Sequence, residues 1–204
     1  VPPQPGEISL AHHGVLFLDE FPEFSRRALE ALREPLETGE IRISRARYQV
    51  TYPARFQLIA AMNPCPCGYL GHPTQLCTDT PTQVARYQGR LSGPLLDRID
   101  LHVSVQSVPY LSLMQAQRGE STAVVRTRVA AAFERATERQ GSHNASLAGE
   151  RLTQHATLDD AGTQFLQAIA ARLNWSARRL HRVLRVARTI ADLGDSAGIM
   201  PAHL

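Results

Sequence analysis

Lysine is absent from this 204-residue chain, and all 22 of its basic residues are arginine. Arginine grips phosphate in a planar fork, but high-GC coding produces the same bias, so the absence assigns no ligand. No Gly-x-x-x-x-Gly-Lys-[Ser/Thr] occurs anywhere, and nothing in the chain can cradle the β- and γ-phosphates of a nucleotide. No apolar run approaches membrane-spanning length, no secretory or targeting pattern opens the chain, and no internal repeat is visible. Cysteine is scarce: three residues, an odd number, sit together at Cys65, Cys67 and Cys77. Without a signal peptide they point to a reducing compartment and to free thiols or a metal, not to a disulfide framework. The net charge of +3 argues solubility and a slight polyanion preference, not nucleic-acid binding on its own. A hydrophobic content of 43% is enough for a core, and the length fits one domain or one domain with a small companion. The chain opens on Val1-Pro2-Pro3-Gln4-Pro5-Gly6 without an initiator Met, which reads as the C-terminal part of a longer protein whose phosphate loop lies upstream.

What is present begins with Gly14-Val15-Leu16-Phe17-Leu18-Asp19-Glu20. A short continuous apolar run reads as a strand buried on both faces of a parallel sheet. Ligands of open α/β sheets sit beyond the carboxyl ends of such strands, so Asp19 and Glu20 stand where a phosphate and its metal would be. In phosphate-loop NTPases the Asp of such a strand holds Mg²⁺ and a following Glu can activate the attacking water. A generic metal site or a structural N-cap acid is the competing account.

Beyond that strand, Phe24, Ala28, Leu29, Ala31, Leu32 and Leu36 recur at helical spacing, with Pro35 expected to kink or end the helix and Gly39 to terminate it. Residues 40–51 alternate as a hairpin does, with Arg45-Ala46-Arg47 at its tip. Phe56 to Met62 reads as a second buried strand ending on Asn63-Pro64, followed by a loop rich in Pro, Gly and Cys to about Pro81. Leu101 to Val105 is expected to be a third strand. From about Ser121 the chain turns helical, with helices over Val124–Gln140, Thr163–Leu173 and Ser176–Leu193. In the last, Leu180, Val183, Leu184, Ala187, Ile190 and Ala191 share a face opposite Arg178, Arg182 and Arg185.

Taken in order, the paired acids, the Asn-ended strand, Leu95-Leu96-Asp97-Arg98-Ile99-Asp100 and the helix start Ser176-Ala177-Arg178-Arg179-Leu180 resemble the Walker B, sensor 1, arginine finger and sensor 2 of an AAA+ ATPase. The hairpin ahead of the second strand resembles the pre-sensor-1 insertion of MCM helicases and magnesium chelatases. Longer blocks narrow the resemblance. They include Pro5-Gly6-Glu7-Ile8-Ser9-Leu10-Ala11-His12, Leu32-Arg33-Glu34-Pro35-Leu36-Glu37, Asn63-Pro64-Cys65-Pro66-Cys67-Gly68 and Arg185 to Leu193. They are similar to the magnesium-chelatase-like ComM/YifB family, over nearly the whole chain.

The resemblance implies an α/β fold: a partial AAA+ core over 1–108, a helical connector over 109–144, and a C-terminal helical lid over 145–204. It implies a bacterial cytoplasmic ATPase using ATP and Mg²⁺, assembled as a hexameric homo-oligomeric ring on branched or single-stranded DNA, with no membrane partner. Branch migration during natural transformation is the activity associated with this family, and this chain alone is expected to be inactive without the phosphate loop. A magnesium chelatase I-type subunit, driving metal insertion into a porphyrin, is the alternative, and a non-enzymatic regulator or assembly factor is a second.

Each role has a plainer competitor. Asp19 would bind Mg²⁺ and Glu20 would polarise water. Asn63 would sense the γ-phosphate or be a turn residue before Pro64. Arg98 would reach a neighbouring subunit's nucleotide or pair with Asp97 or Asp100 in its own chain. Arg178 would contact nucleotide or belong to a solvated arginine face. Arg45 and Arg47 would meet DNA phosphates in the ring's pore, or simply be charges tolerated at a tip. Cys65, Cys67 and Cys77 follow Cys-x-Cys-x₉-Cys, whereas the family pattern usually ends on a fourth Cys at the position of Asp79. A zinc ion would need Asp79 or His72 as its last ligand, and reduced free thiols are the alternative. Trp175 is expected in the core, not as a base-stacking platform.

Overall fold

The computed structural model describes residues 3–45, 48–108, 114 and 119–204, with Arg45 described by its backbone only. The chain divides into two compact units, Val1–Ser107 and Val108–Leu204.

The first unit opens with a one-turn helix α1 (Glu7–Leu10), then strand β1 (Val15–Leu18) and a 3₁₀ turn (Phe21–Glu23). Two short helices follow, α2 (Arg26–Ala31) and α3 (Arg33–Thr38), separated by Leu32. Proline explains the break: its ring clashes with the carbonyl four residues back, so the helix cannot run through Ala31 into Pro35. It restarts at Arg33, with Pro35 in a first turn that needs no amide there. Ser25 caps α2 by accepting the Ala28 amide at 3.3 Å. Gly39 ends α3 at φ +74°, a conformation that favours glycine.

Strands β2 (Glu40–Arg45) and β3 (Tyr48–Pro53) then pair antiparallel, Ile43 opposite Val50 and Arg45 opposite Tyr48, as the alternating pattern requires. β4 (Gln57–Ala60) returns beside β1 in parallel, Leu18 opposite Ala60. Helices α4 (Pro81–Gln88) and α5 (Gly93–Leu96) complete the unit. Thr80 and Gln83 form a reciprocal capping box at the start of α4. The core is Phe21, Leu29, Leu32, Leu91 and Leu95, with Leu16, Leu18 and Phe56 packed against it.

Two expectations are corrected here. β1 and β4 are not buried on both faces: Val15, Phe17 and Ile59 are exposed. Among the described residues their sheet has only two strands, and the helical core covers Leu16 and Leu18 alone. The expected third strand does not form either. Residues 101–105 carry no strand ladder, and Leu101, Val103 and Val105 are 66%, 80% and 90% exposed. A strand needs a hydrogen-bonding neighbour, and no described strand lies beside this segment.

The second unit is helical: α6 (Thr122–Gln140), α7 (Gly149–His155), α8 (Asp160–Arg172) and α9 (Ala177–Leu193). Ser121, Asp159 and Ser176 cap α6, α8 and α9 through side-chain oxygens. Leu147, Leu152, Ala156, Ala187, Ala191 and Ile199 form its core. Helix α6 is joined to α9 by polar contacts as well. Asp192 is 1% exposed and Arg188 2%, and Arg139 reaches across from α6 to hold Asp192 with both guanidinium nitrogens, at 2.6 and 3.0 Å. Residues 109–113 and 115–118 of the expected connector lie outside the described residues.

No helix of the described residues is long and apolar enough to cross a membrane.

Candidate functional site

Parallel pairing of β1 with β4 puts their carboxyl ends on one edge of the sheet. The Ala61 amide donates to the Leu18 carbonyl at 2.9 Å, and the Phe21 amide donates back to the Ala61 carbonyl at 2.9 Å. The acid pair Asp19-Glu20 is therefore bracketed by hydrogen bonds to the strand that leads into Asn63, and all three residues are exposed. This is the edge at which open α/β sheets bind ligands.

Glu20 occupies the left-handed region, at φ 50° and ψ 44°. A residue with a Cβ pays about 1 kcal/mol or more for that conformation. The cause lies on either side of it. Asp19 follows a straight strand, whereas Phe21 is 2% exposed and anchored in the core, so the chain must reverse at Glu20. The Glu20 amide donates to Asp19 Oδ1 at 2.9 Å, which fixes the Asp19 carboxylate. Arg90 braces the turn, bonding the Pro22 carbonyl at 3.2 Å and Glu23 at 2.6 Å. On the Asn63 side, Gln88 of α4 donates to the Pro64 carbonyl at 2.9 Å. Burial raises the Tyr87 phenol's pKa, and a hydrogen bond with the Asn63 backbone pulls the other way.

Arg98 follows α5 and is mostly covered. It forms an ion pair with Glu37 of α3, and its Nη1 donates to the Pro94 carbonyl at 2.6 Å. Its Nε is buried with no hydrogen-bond partner among the described residues. The intrachain partner shown for Arg98 is thus Glu37, a residue sixty-one positions away that sequence spacing could not nominate. Arg178 lies exposed in the first turn of α9 in the second unit. Arg45 ends β2, but its side chain and Arg47 lie outside the described residues.

The cysteines do converge. The ligand atoms of Cys65, Cys67, Cys77 and Asp79 all lie within 4.8 Å of one another. His72 is elsewhere engaged: its Nδ1 accepts the amides of Thr74 at 3.3 Å and Gln75 at 3.0 Å. The thiols differ in acidity. At Cys67 the Asp79 carboxylate and burial push upward, but the Tyr69 and Thr78 amides and Cys65 prevail and bring the thiol down to about 7. Burial pushes Cys77 up to about 11.

Sequence reasoning missed the left-handed Glu20, the Glu37 partner of Arg98, and the buried Arg188–Asp192 pair of α9. Only the last left a trace in the sequence, as opposite charges at i,i+4 on one helix.

Comparison with known proteins agrees over the whole chain. Residues 1–113 match the family model described as magnesium chelatase, subunit ChlI. Residues 119–204 match the one described as magnesium chelatase, subunit ChlI C-terminal. The YifB protein of Salmonella typhimurium is 50% identical over 203 residues, covering 99% of this chain and 40% of the relative. The competence protein ComM of Haemophilus influenzae is 49% identical over 204 residues, again 99% of this chain and 40% of the relative. The DNA replication licensing factor Mcm6 of Drosophila melanogaster is 30% identical over 96 residues, 47% of this chain and 10% of its own. The chain thus spans about 40% of the length of the YifB and ComM relatives. With both family models and these whole-chain identities in agreement, the chain belongs to the ComM/YifB branch of the magnesium-chelatase-like AAA+ proteins.

Proposed function

We propose that this chain supplies the hydrolytic and subunit-contacting half of an ATP-driven DNA motor. The observation that carries the reading is the shared carboxyl edge of β1 and β4, where the Leu18–Ala61–Phe21 hydrogen bonds bracket Asp19 and Glu20 beside the strand end that leads to Asn63. Asp19 offers the hard carboxylate oxygen that Mg²⁺ prefers, one of the one or two protein ligands such an ion takes beside substrate phosphates. When bound, the ion neutralises charge on the β- and γ-phosphates.

The remaining roles belong to the chain's own side chains. Glu20, fixed by its backbone on an exposed turn, accepts a proton from the attacking water and orients it. Asn63 hydrogen-bonds that water or the γ-phosphate. Arg98 leaves Glu37 for the nucleotide of a neighbouring subunit, where its charge stabilises the transition state. Arg178 contacts nucleotide from the helical unit. Arg45 and Arg47, at the hairpin tip, bind phosphates of branched or single-stranded DNA in a homohexameric ring.

Kinship with a competence protein and, more distantly, with a DNA replication licensing factor supports DNA as substrate. The family description naming a chelatase subunit supports the second reading, metal insertion into a porphyrin, which shares the nucleotide residues but needs no DNA. Measuring ATP turnover of the full-length protein with and without branched DNA decides between them. Glu20→Gln should keep ATP binding and lower turnover by about 10²–10⁴-fold. A variant that retains most of its rate refutes the role of Glu20. A wild-type rate and affinity indifferent to DNA favour the chelatase-like reading.

A further inference from the structure

The loop over 64–80, between β4 and α4, holds a second site that the nucleotide chemistry does not use. Its sulfur atoms form a triangle with edges of 3.4 Å (Cys65–Cys67), 3.6 Å (Cys65–Cys77) and 3.5 Å (Cys67–Cys77). No two of them are bonded. Asp79 Oδ2 lies 3.8 Å from the Cys77 sulfur and accepts the Cys67 amide at 2.8 Å. We infer that Cys65, Cys67, Cys77 and Asp79 form a closed tetrahedral zinc site in which Asp79 is the single oxygen ligand.

The dimensions carry this. Zinc–sulfur bonds of about 2.3 Å at tetrahedral angles put sulfurs about 3.8 Å apart, so each observed edge needs to open by only a few tenths of an ångström. Zinc also accepts carboxylate oxygen, at a slightly shorter bond than thiolate. Three thiolates select it over magnesium or calcium, which want oxygen throughout. Four protein ligands leave no open position, which makes the site structural and not catalytic. The amide of Cys67 orients the Asp79 carboxylate as an outer-shell donor orients a metal ligand. His72 does not compete, because neither of its ring nitrogens is among the ligand atoms that converge here.

The loop's fabric also calls for a clamp. It contains no described helix or strand, Leu70 and Leu76 are exposed, and Cys65 is its fully buried residue. Loops of this length without secondary structure need another source of order. A metal joining Cys65 to Asp79 ties the end of the Asn63 strand to Thr80, the cap of α4.

The test uses the full-length protein, purified without chelator or polyhistidine tag. Zinc should be present at about one per subunit by mass spectrometry. In chelator competition, Asp79→Ala and Asp79→Asn should weaken zinc binding at least ~10-fold, since even an outer-shell partner is worth 10–100-fold. Asp79→Cys should keep the stoichiometry. With cobalt in place of zinc it should raise the thiolate-to-cobalt absorption by about one third, as thiolate ligands go from three to four. Native protein with little metal and three freely titrating thiols overturns the site. Unchanged zinc affinity in Asp79→Asn, or unchanged cobalt absorption in Asp79→Cys, overturns Asp79 as a ligand. The second measurement stands even where Asp79→Ala does not fold. None of these outcomes bears on Glu20 or ATP turnover, so the zinc site and the motor reading fail separately.

Discussion

Replacing Asp192 by Asn should strongly destabilise the helical unit, and the structure supplies the magnitude. Asp192 Oδ1 accepts Arg139 Nη1 at 2.6 Å and Arg188 Nη2 at 3.0 Å. Oδ2 accepts Arg139 Nη2 at 3.0 Å and Asn144 Nδ2 at 2.8 Å. An amide of the same size keeps one oxygen and turns an N–H₂ donor toward groups that are themselves donors. Arg139 is 25% exposed as a side chain and can be rehydrated, but Arg188 is 2% exposed. Among the described residues, the other acceptors of Arg188 are the carbonyls of Ala197 at 3.0 Å and Ser196 at 2.6 Å. Its charge is left buried without a counterion, and removing one partner of a buried pair costs about 3–5 kcal/mol. A domain has about 5–15 kcal/mol in all.

Urea unfolding followed by fluorescence of Trp175, the chain's single tryptophan, reads this unit. The midpoint should fall with the slope unchanged. The double variant Arg188→Met/Asp192→Leu should recover part of the loss, because it removes the unpaired buried charge, though Asn144 and the Ser196 and Ala197 carbonyls then lose partners. Acidity gives an independent signature. Burial pushes the Asp192 carboxyl up, but hydrogen bonds from Arg139 and Asn144 and the Arg188 charge outweigh it and hold it below the ordinary carboxylate range. Its stabilising share is therefore whole above about pH 4 and disappears as the pH falls through the depressed value. The gap between wild type and Asp192→Asn should close in acid and stay open toward alkali. A loss below ~1 kcal/mol at neutral pH would refute the reasoning, since it would mean that water reaches Arg188.

Arg98→Ala and Glu20→Gln, each inactive alone, should regain part of the ATPase rate when mixed into one ring, because an intact Glu20 can then face an intact Arg98. Confirmed mixed rings with no recovery would confine Arg98 to its own chain and its Glu37 partner. Arg45→Ala with Arg47→Ala should leave DNA-independent hydrolysis near wild type and weaken binding to all DNA sequences alike. Each lost phosphate contact should lower the slope of log K against log salt by about 0.7–0.9, and unchanged binding in filter or fluorescence titrations would remove the hairpin from the DNA path.

Much of the local structure was legible because its causes lie within a few residues. The apolar run of β1, the alternation of β2 and β3, and the caps Ser121 and Ser176 are written in contiguous sequence. The family pattern was equally legible, because its motifs are short and ordered along the chain. Burial was less so. Val15 and Phe17 have the composition of a doubly covered strand, yet cover depends on which elements lie on each face, and in the described chain only one face is covered. Residues 101–105 carry strand-like side chains but lack a ladder partner.

Tertiary structure brought together partners that sequence spacing could not nominate. Asp79 and His72 were equal in the sequence as fourth ligands. The fold brings Asp79 to the sulfurs and turns His72 onto its own turn. Arg98 had acids on both sides, and the partner shown for it on the neighbouring helix is Glu37. Glu20 reads as an ordinary strand-end acid, and its left-handed backbone follows from the anchoring of Phe21 in the core. Propensity, capping and periodicity act over one or two turns, whereas the cost of leaving a charge or an apolar face unsatisfied is settled only when remote surfaces meet.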